Sequence, residues 1–364
     1  MWQGCSFPAF SRLLWKNGCA VHPGYWYMPL VMTTVSLFNS ALHLLQESWF
    51  GSRLDQTPLR GAPVFIIGHW RTGTTLLHEL LALDPQFGYP TTYDCMAANH
   101  FLLTETLADT CFRWMLPTRR PMDNMPVGWQ RPQEDEFALC MLGLPSPYLR
   151  IAFPNRPPMD HDALDVETLA PRQREAWKRG LLGFLRRVTF RDPRRLILKS
   201  PTHSCRIPTL LEMFPGAQFV HIVRNPYVVF ASTVRLWQSL YQSHGLQVPT
   251  FAGLHDEVLS TFVHLYERIE IGKRLVPPGD FHEVRYEDLI ADPLGQMEQL
   301  YATLRLPGFV EARPRLEAFW RDQSGYQTNR FPPLDAPTRA VIAQRWRVVL
   351  DRYGYDAPPV VSAT

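Results

Sequence analysis

Lysine is scarce in this chain. Of 37 basic residues only Lys16, Lys178, Lys199 and Lys273 are lysines and the other 33 are arginines, so a lysine inside a motif carries weight. The net charge of +3 over 364 residues is too small and too scattered to suit a nucleic-acid partner. None of the six cysteines forms a C-x-x-C pair. That excludes zinc ribbons and thioredoxin-type motifs, and a chain this long has little use for a disulfide framework, so the thiols are read as reduced. The absence of any Asn-x-Ser/Thr sequon argues against a glycosylated lumenal protein. There is also no internal repeat and no low-complexity tract. What the chain does have is 46% hydrophobic residues, enough to bury a large core and to exclude disorder.

Residues 25–45, YWYMPLVMTTVSLFNSALHLL, contain no Asp, Glu, Lys or Arg. Their length admits a membrane span, but Thr33, Thr34, Ser36, Asn39, Ser40 and His43 thin the apolar content and no signal-type cleavage pattern follows. The expectation is a helix lying on the protein or at a membrane surface. Residues 1–60 are read as a helical extension, and residues 61–364 as the main domain.

Beyond Pro58, Gly61 and Pro63 the chain enters Val64-Phe65-Ile66-Ile67, a short unalternated apolar run that reads as a central strand buried on both faces. A glycine loop and then LLHELLALDP, a helix, follow it. The same order recurs at Arg195–Lys199 with its following helix and at Gln218–Arg224 with NPYVVFASTVRLWQSLY, and Phe281–Tyr286 adds a fourth, shorter strand. Strand, crossover helix, strand means βαβ units and a parallel α/β sheet with helices on both faces. The Pro- and Trp-rich middle, about residues 86–160, is irregular. Segments of that kind cover the carboxyl edge of such sheets, where ligands bind.

Gly68-His69-Trp70-Arg71-Thr72-Gly73-Thr74-Thr75 sits between the first strand and its helix. Its glycine spacing and final hydroxyl match the phosphate loop G-x-x-x-x-G-K-[ST], but Thr74 stands where the lysine belongs. Glycines let a backbone wrap an anion, the start of a helix favours negative charge, and Arg71 adds a forked cation. No strand ending in a magnesium-placing Asp is evident, so no metal is expected. Lys199-Ser200-Pro201 ends the second strand, where an ammonium can meet charge developing on a bridging oxygen. Val223-Arg224-Asn225-Pro226 ends the third, with Ser232 two turns into the next helix, and Arg285-Tyr286-Glu287-Asp288-Leu289 closes the fourth.

Together these four motifs, in this order over about residues 62–356, resemble the sulfotransferases that use 3′-phosphoadenosine 5′-phosphosulfate (PAPS), in particular the bacterial and tyrosylprotein-type branch. The resemblance implies a P-loop-like α/β fold and sulfuryl transfer from PAPS to a hydroxyl, on a small molecule or carbohydrate rather than a protein. It implies that Arg71, Thr72, Gly73, Thr74 and Thr75 hold the 5′-phosphosulfate, Arg224 and Ser232 the 3′-phosphate, and Tyr286 the adenosine. Asn329 and Arg330 are weaker candidates from a returning C-terminal loop. A cytoplasmic enzyme able to associate with a membrane surface through residues 25–45 is the corresponding expectation for its location.

The general base is not settled by the motifs. Pro201 occupies the position of the histidine found in cytosolic members, and Tyr89 to Asp94 offers no glutamate. The acidic run Gln133-Glu134-Asp135-Glu136 supplies Glu134 or Glu136, although acids after Pro132 also suit a helix start with no catalytic role. His69, His78, His100, His203 and Asp94 are the lesser alternatives. Two other functional readings stay open: a phosphate-loop kinase of small molecules, and a non-catalytic nucleotide-binding protein.

Overall fold

The structure is a computed structural model describing residues 1–111, 128–157, 161–322 and 334–355. Five strands, β1 (Val64–Ile67), β2 (Phe87–Gly88), β3 (Arg195–Lys199), β4 (Gln218–Val223) and β5 (Phe281–Arg285), form one sheet in the order β2-β3-β1-β4-β5. Every pairing is parallel, and the register places Ile66 beside both Lys199 and Val220. The four strands expected from sequence are all present. The two-residue edge strand β2 was not expected.

Alternation along the strands divides the interior into two cores. Phe65, Ile67, Leu198 and Phe219 face one core, which includes Phe184, Phe230 and Phe262. Val64, Ile66, Ile197, Val220 and Ile222 face the other, with Leu77, Leu81, Met297 and Leu316. A sheet buried on both faces needs the continuous β-branched and aromatic runs that this sequence has. On the first face lie α7 (Pro171–Arg191), α8 (Ile207–Met213), α9 (Pro226–His244) and α10 (Leu254–Lys273), and on the second α3 (Thr74–Ala82), α12 (Pro293–Thr303) and α13 (Phe309–Asp322). Helices therefore cover both faces, as expected.

The irregular middle contains α4 (Thr92–Met96), α5 (Phe101–Cys111) and α6 (Asp135–Met141); α11 (Tyr286–Ala291), α14 (Ala336–Arg345) and α15 (Arg347–Tyr353) complete the body. Ahead of them come α1 (Phe7–Lys16) and α2 (Tyr27–Asp55). Trp2, Phe10 and Leu13 are buried in the first core, so the extension packs onto the α/β body. The basic run of α7 serves this packing: Arg187 pairs with Glu47 of α2, and Arg191 pairs with Asp94 of α4.

Because β1 lies between β3 and β4, the strand order diverges at its carboxyl end, where open α/β sheets place their ligands. The expected site segments follow the carboxyl ends of β3, β1, β4 and β5. Asn329 and Arg330 lie outside the described residues.

Candidate active site

The loop after β1 has a backbone that few side chains tolerate. Gly68 and Gly73 have φ of 145° and 105°, and Arg71 is left-handed at 69°. A Cβ on Gly68 would come within 2.5 Å of the Ile222 carbonyl oxygen, and one on Gly73 within 2.5 Å of the Tyr286 ring. Both positions thus require glycine for conformation and for space. The Ser204 hydroxyl accepts from the Gly68 amide at 2.9 Å and anchors the loop to the segment after β3. Thr72 braces the loop: its hydroxyl donates to the His69 carbonyl at 2.7 Å and its amide donates to the same oxygen. Thr74 and Thr75 open α3, where amides have no acceptor within the helix.

Lys199 reaches the start of that helix from the neighbouring strand. Its ammonium lies 3.4 Å from the Thr75 hydroxyl and 2.7 Å from Oε1 of Glu134. The lysine is 1% exposed and the glutamate side chain 15%, so this ion pair is nearly closed to water. The other glutamate oxygen accepts from the Tyr148 hydroxyl at 2.7 Å, and Trp70 Nε1 donates to the same hydroxyl at 2.8 Å. Burial and the adjacent Glu134 push the Tyr148 phenol well above its ordinary pKa, so the phenol stays a donor to the carboxylate.

The acids of Gln133–Glu136 are parcelled out one by one to the segment after β3. Glu134 takes Lys199, Asp135 takes His203 at 2.8 Å, and Glu136 takes Arg206 through both oxygens together with the Thr202 hydroxyl at 2.8 Å. Glu136, one of the two expected bases, is fully buried with both oxygens engaged, and its partner is Arg206 where that of Glu134 is Lys199. His203 is buried against Asp135. Asp94 caps α4 in a capping box with Thr91 and pairs with Arg191, which leaves it a structural role. His69 and His78 are buried, and burial holds both imidazoles below their ordinary pKa.

On the other side of the loop, Arg71 turns toward α9, where its Nε donates to the Ser232 hydroxyl at 2.8 Å. Arg224 donates to the Arg71 carbonyl at 3.2 Å and lies over the Tyr286 ring, 4.0 Å from its centroid. Arg71, Arg224, Ser232 and Tyr286 thus form one cluster. The expected separation between Arg71 and the Arg224–Ser232 pair is not what the side chains show. Glu287 accepts from the Asn225 amide at 3.0 Å and fixes the turn that carries Arg224. Sequence reasoning overlooked Tyr148, Trp70, Ser204 and Glu287. Tyr148 lies within the irregular middle and Trp70 in the loop ahead of it, 78 residues away, and no local pattern links them. A cavity of about 40 Å³ lined by His69, Trp70, Arg150, Trp237 and Glu257 is lined by neither Lys199 nor Arg224 and is of water size.

A lysine and carboxylate beside a phosphate-type loop, with two arginines beyond it, is an arrangement suited to moving an anionic group. A model described as "Sulfotransferase family" matches residues 63–311. The chain belongs to the sulfotransferase family. It is 51% identical over 356 residues, 98% of this chain and 91% of the relative, to "Omega-hydroxy-beta-dihydromenaquinone-9 sulfotransferase Stf3" of Mycobacterium bovis, and equally to the protein of that name in Mycobacterium tuberculosis. Among solved structures, sulfotransferase STF9 from Mycobacterium avium aligns with a TM-score of 0.67 at 19% identity, covering 97% of each chain. Sulfotransferase STF1 from Mycobacterium tuberculosis aligns with 0.62 at 19% identity, covering 93% of this chain and 90% of that one. At that identity these two establish the sulfotransferase fold, while the family model and the curated relatives establish membership. The kinase and non-catalytic readings fall away, and this sulfotransferase is an enzyme.

Proposed function

We propose that the enzyme takes its sulfuryl group from PAPS and passes it, without a metal, to a hydroxyl of a small lipid-like acceptor in the cytoplasm, with Glu134 as general base. The observation that carries the reading is the Lys199–Glu134 ion pair held against Thr75. The residues present suit a donor with two anionic ends. The Gly73, Thr74 and Thr75 segment and Lys199 are assigned to the phosphosulfate, with Thr72 bracing the loop from behind. Arg71 joins Arg224 and Ser232 at the 3′-phosphate, because its guanidinium already lies on that side. Tyr286, covered by Arg224, is assigned to the adenosine.

In this mechanism Lys199 exchanges its resting partner for the leaving phosphate, which frees the Glu134 carboxylate. Glu134 takes the proton of the acceptor hydroxyl as that oxygen bonds to sulfur. The bond between sulfur and the bridging phosphate oxygen breaks, and Lys199 with the amides at the start of α3 meets the charge left there. Glu134 then returns its proton to solvent. Tyr148 holds the carboxylate in place from its second oxygen. A hydroxylated isoprenoid quinone is the acceptor class to try first, because relatives at 51% identity carry a name of that kind.

Calorimetry with 3′,5′-adenosine bisphosphate, set against ATP with magnesium, tests the donor. Metal-independent binding of the bisphosphate supports the reading, and preference for ATP overturns it. Transfer of labelled sulfate to a hydroxylated quinone, compared with a sugar alcohol, tests the acceptor class.

A further inference from the structure

Helix α2 is built inside out. Along its middle, between Met32 and Leu54, the buried side chains are polar: Asn39 donates to the carbonyls of Gln3 and Cys5 at 2.6 and 2.9 Å, and Gln46 donates to the Asn99 carbonyl at 3.2 Å and accepts from the Leu102 amide at 3.1 Å. Asn39 also accepts from His100 Nε2 through Oδ1 at 3.1 Å, and His43 meets the Asn99 carbonyl at 3.1 Å. Ser36, Asn39 and Gln46 are buried. The side chains it turns outward are Tyr27, Leu30, Val31, Leu37, Phe38, Leu44, Leu45 and Trp49, all exposed, with Leu30 at 72% and Phe38 at 64%. The adjacent pairs 30/31, 37/38 and 44/45 recur every seven residues, two helical turns, so with Tyr27 and Trp49 they fall in a single stripe down the helix. At 1.5 Å per residue the stripe is about 33 Å long. Trp26 precedes it, and Trp15, 83% exposed, stands near the end of α1 that leads into it.

Up to Gln46 the chain that carries the stripe has charge of one sign. The first 46 residues contain Arg12 and Lys16, both exposed, and no Asp or Glu. The first acids are Glu47, held by Arg187, and Asp55 at the far end of α2. An apolar stripe with tryptophans at both ends and a cationic border has the chemistry of a helix lying in a bilayer interface, with rings at headgroup level and cations toward anionic lipid. A membrane-crossing role does not fit, because lipid would have to replace the protein groups that satisfy Asn39, Gln46 and His43.

We propose that the outer face of α2, with Trp15 and Trp26, seats the enzyme in the plane of an anionic membrane surface, inserted to headgroup depth and not across the bilayer. The inference deepens the lipid-like acceptor reading above but rests on the helix alone. Bisphosphate binding and membrane binding are separate measurements, so the failure of one leaves the other standing.

The test is flotation of the full-length protein with vesicles of phosphatidylcholine containing one-third phosphatidylglycerol, beside pure phosphatidylcholine. The protein should float with the anionic vesicles and be released by alkaline carbonate. A Leu37→Glu/Phe38→Glu variant, altered where side chains already face solvent, should lose at least tenfold in partitioning while binding 3′,5′-adenosine bisphosphate as before. Arg12→Gln/Lys16→Gln should weaken binding to the anionic vesicles alone. A wild-type protein that stays in the bottom fraction, or a double-Glu variant that floats equally well, overturns the proposal. So does retention through carbonate, which means a spanning helix, or a salt-stable dimer that the double-Glu change splits, which means the stripe is a subunit interface.

Discussion

Replacing Glu134 by glutamine removes one charge and almost no volume. Glutamine keeps one acceptor oxygen in place of two, so it can still accept from Lys199 while its amide turns toward the Tyr148 hydroxyl, and the side chain should keep its position. What disappears is the negative partner of an ammonium that is 1% exposed. Breaking a fully buried pair costs about 3–5 kcal/mol; with part of the glutamate exposed and one oxygen retained, about 2–3 kcal/mol of stability is the expectation here. The catalytic loss is of a different size, because a positioned base contributes about 10²–10⁴ in rate. The assay is transfer of labelled sulfate at saturating donor and acceptor, beside calorimetry with 3′,5′-adenosine bisphosphate and a denaturant titration of the same preparation. The expected result is a kcat at least a hundredfold lower, with bisphosphate affinity within a few-fold of wild type. A variant that turns over at the wild-type rate refutes the base assignment. A loss that vanishes at low temperature, where the variant is fully folded, makes Glu134 an anchor for Lys199 and nothing more.

Tyr148→Phe should lower kcat about tenfold or more by withdrawing a hydrogen bond to a charged group, worth about 1.5–3 kcal/mol, while leaving the donor KM unchanged; an effect on KM alone would move Tyr148 to substrate binding. Arg224→Ala should weaken bisphosphate binding by a similar about 1.5–3 kcal/mol, read by calorimetry, and an unchanged affinity removes the 3′-phosphate assignment. Gly73→Ala should cost about 1–3 kcal/mol in backbone strain alone and displace Tyr286 as well, so bisphosphate affinity and thermal midpoint should fall together. Stability should also fall in acid: burial holds His69 and His100 down to about 4, and His78 well below its ordinary value. The unfolded chain takes up these protons below about pH 6.5 while the folded chain resists, so unfolding free energy drops by up to about 1.4 kcal/mol per pH unit for each histidine between about pH 6.5 and 4. Denaturant midpoints across that range check this, and His69→Gln should flatten the slope.

The central strands could be read from the sequence because burial on both faces demands unbroken apolar runs, and Val64–Ile67 has no other natural use. The two residues of β2 carry no such pattern; Phe87 and Gly88 become a strand only because β3 lies beside them. Lys199 and Arg224 were legible because each ends a strand. The direction of Arg71 was not, since it depends on a left-handed residue and on Ser232, 161 residues away. The acids of 134–136 could be seen but not sorted, because their partners lie 65 to 70 residues further on. Helix α2 misleads for the opposite reason: its polar residues look like dilution of an apolar segment until Asn39 and Gln46 prove to be the side that faces in.

The triple pairing of 134–136 with 199–206 has a topological consequence. It joins the two ends of an excursion of more than 60 residues through contacts only a few ångströms across. Closure of a long loop depends only weakly on its length. Within that excursion Tyr148 and β3 are fixed by their contacts with Glu134 and with β1, so only the connection between them can change length at little cost while Glu134 and Lys199 keep their separation. A single residue inserted inside 134–136 would instead put the acids on its two sides out of register with one another, so that the three pairs could not all form. Chimaeras that keep Tyr148, β3 and the clasp should retain their chemistry, and those cut within the clasp should lose it.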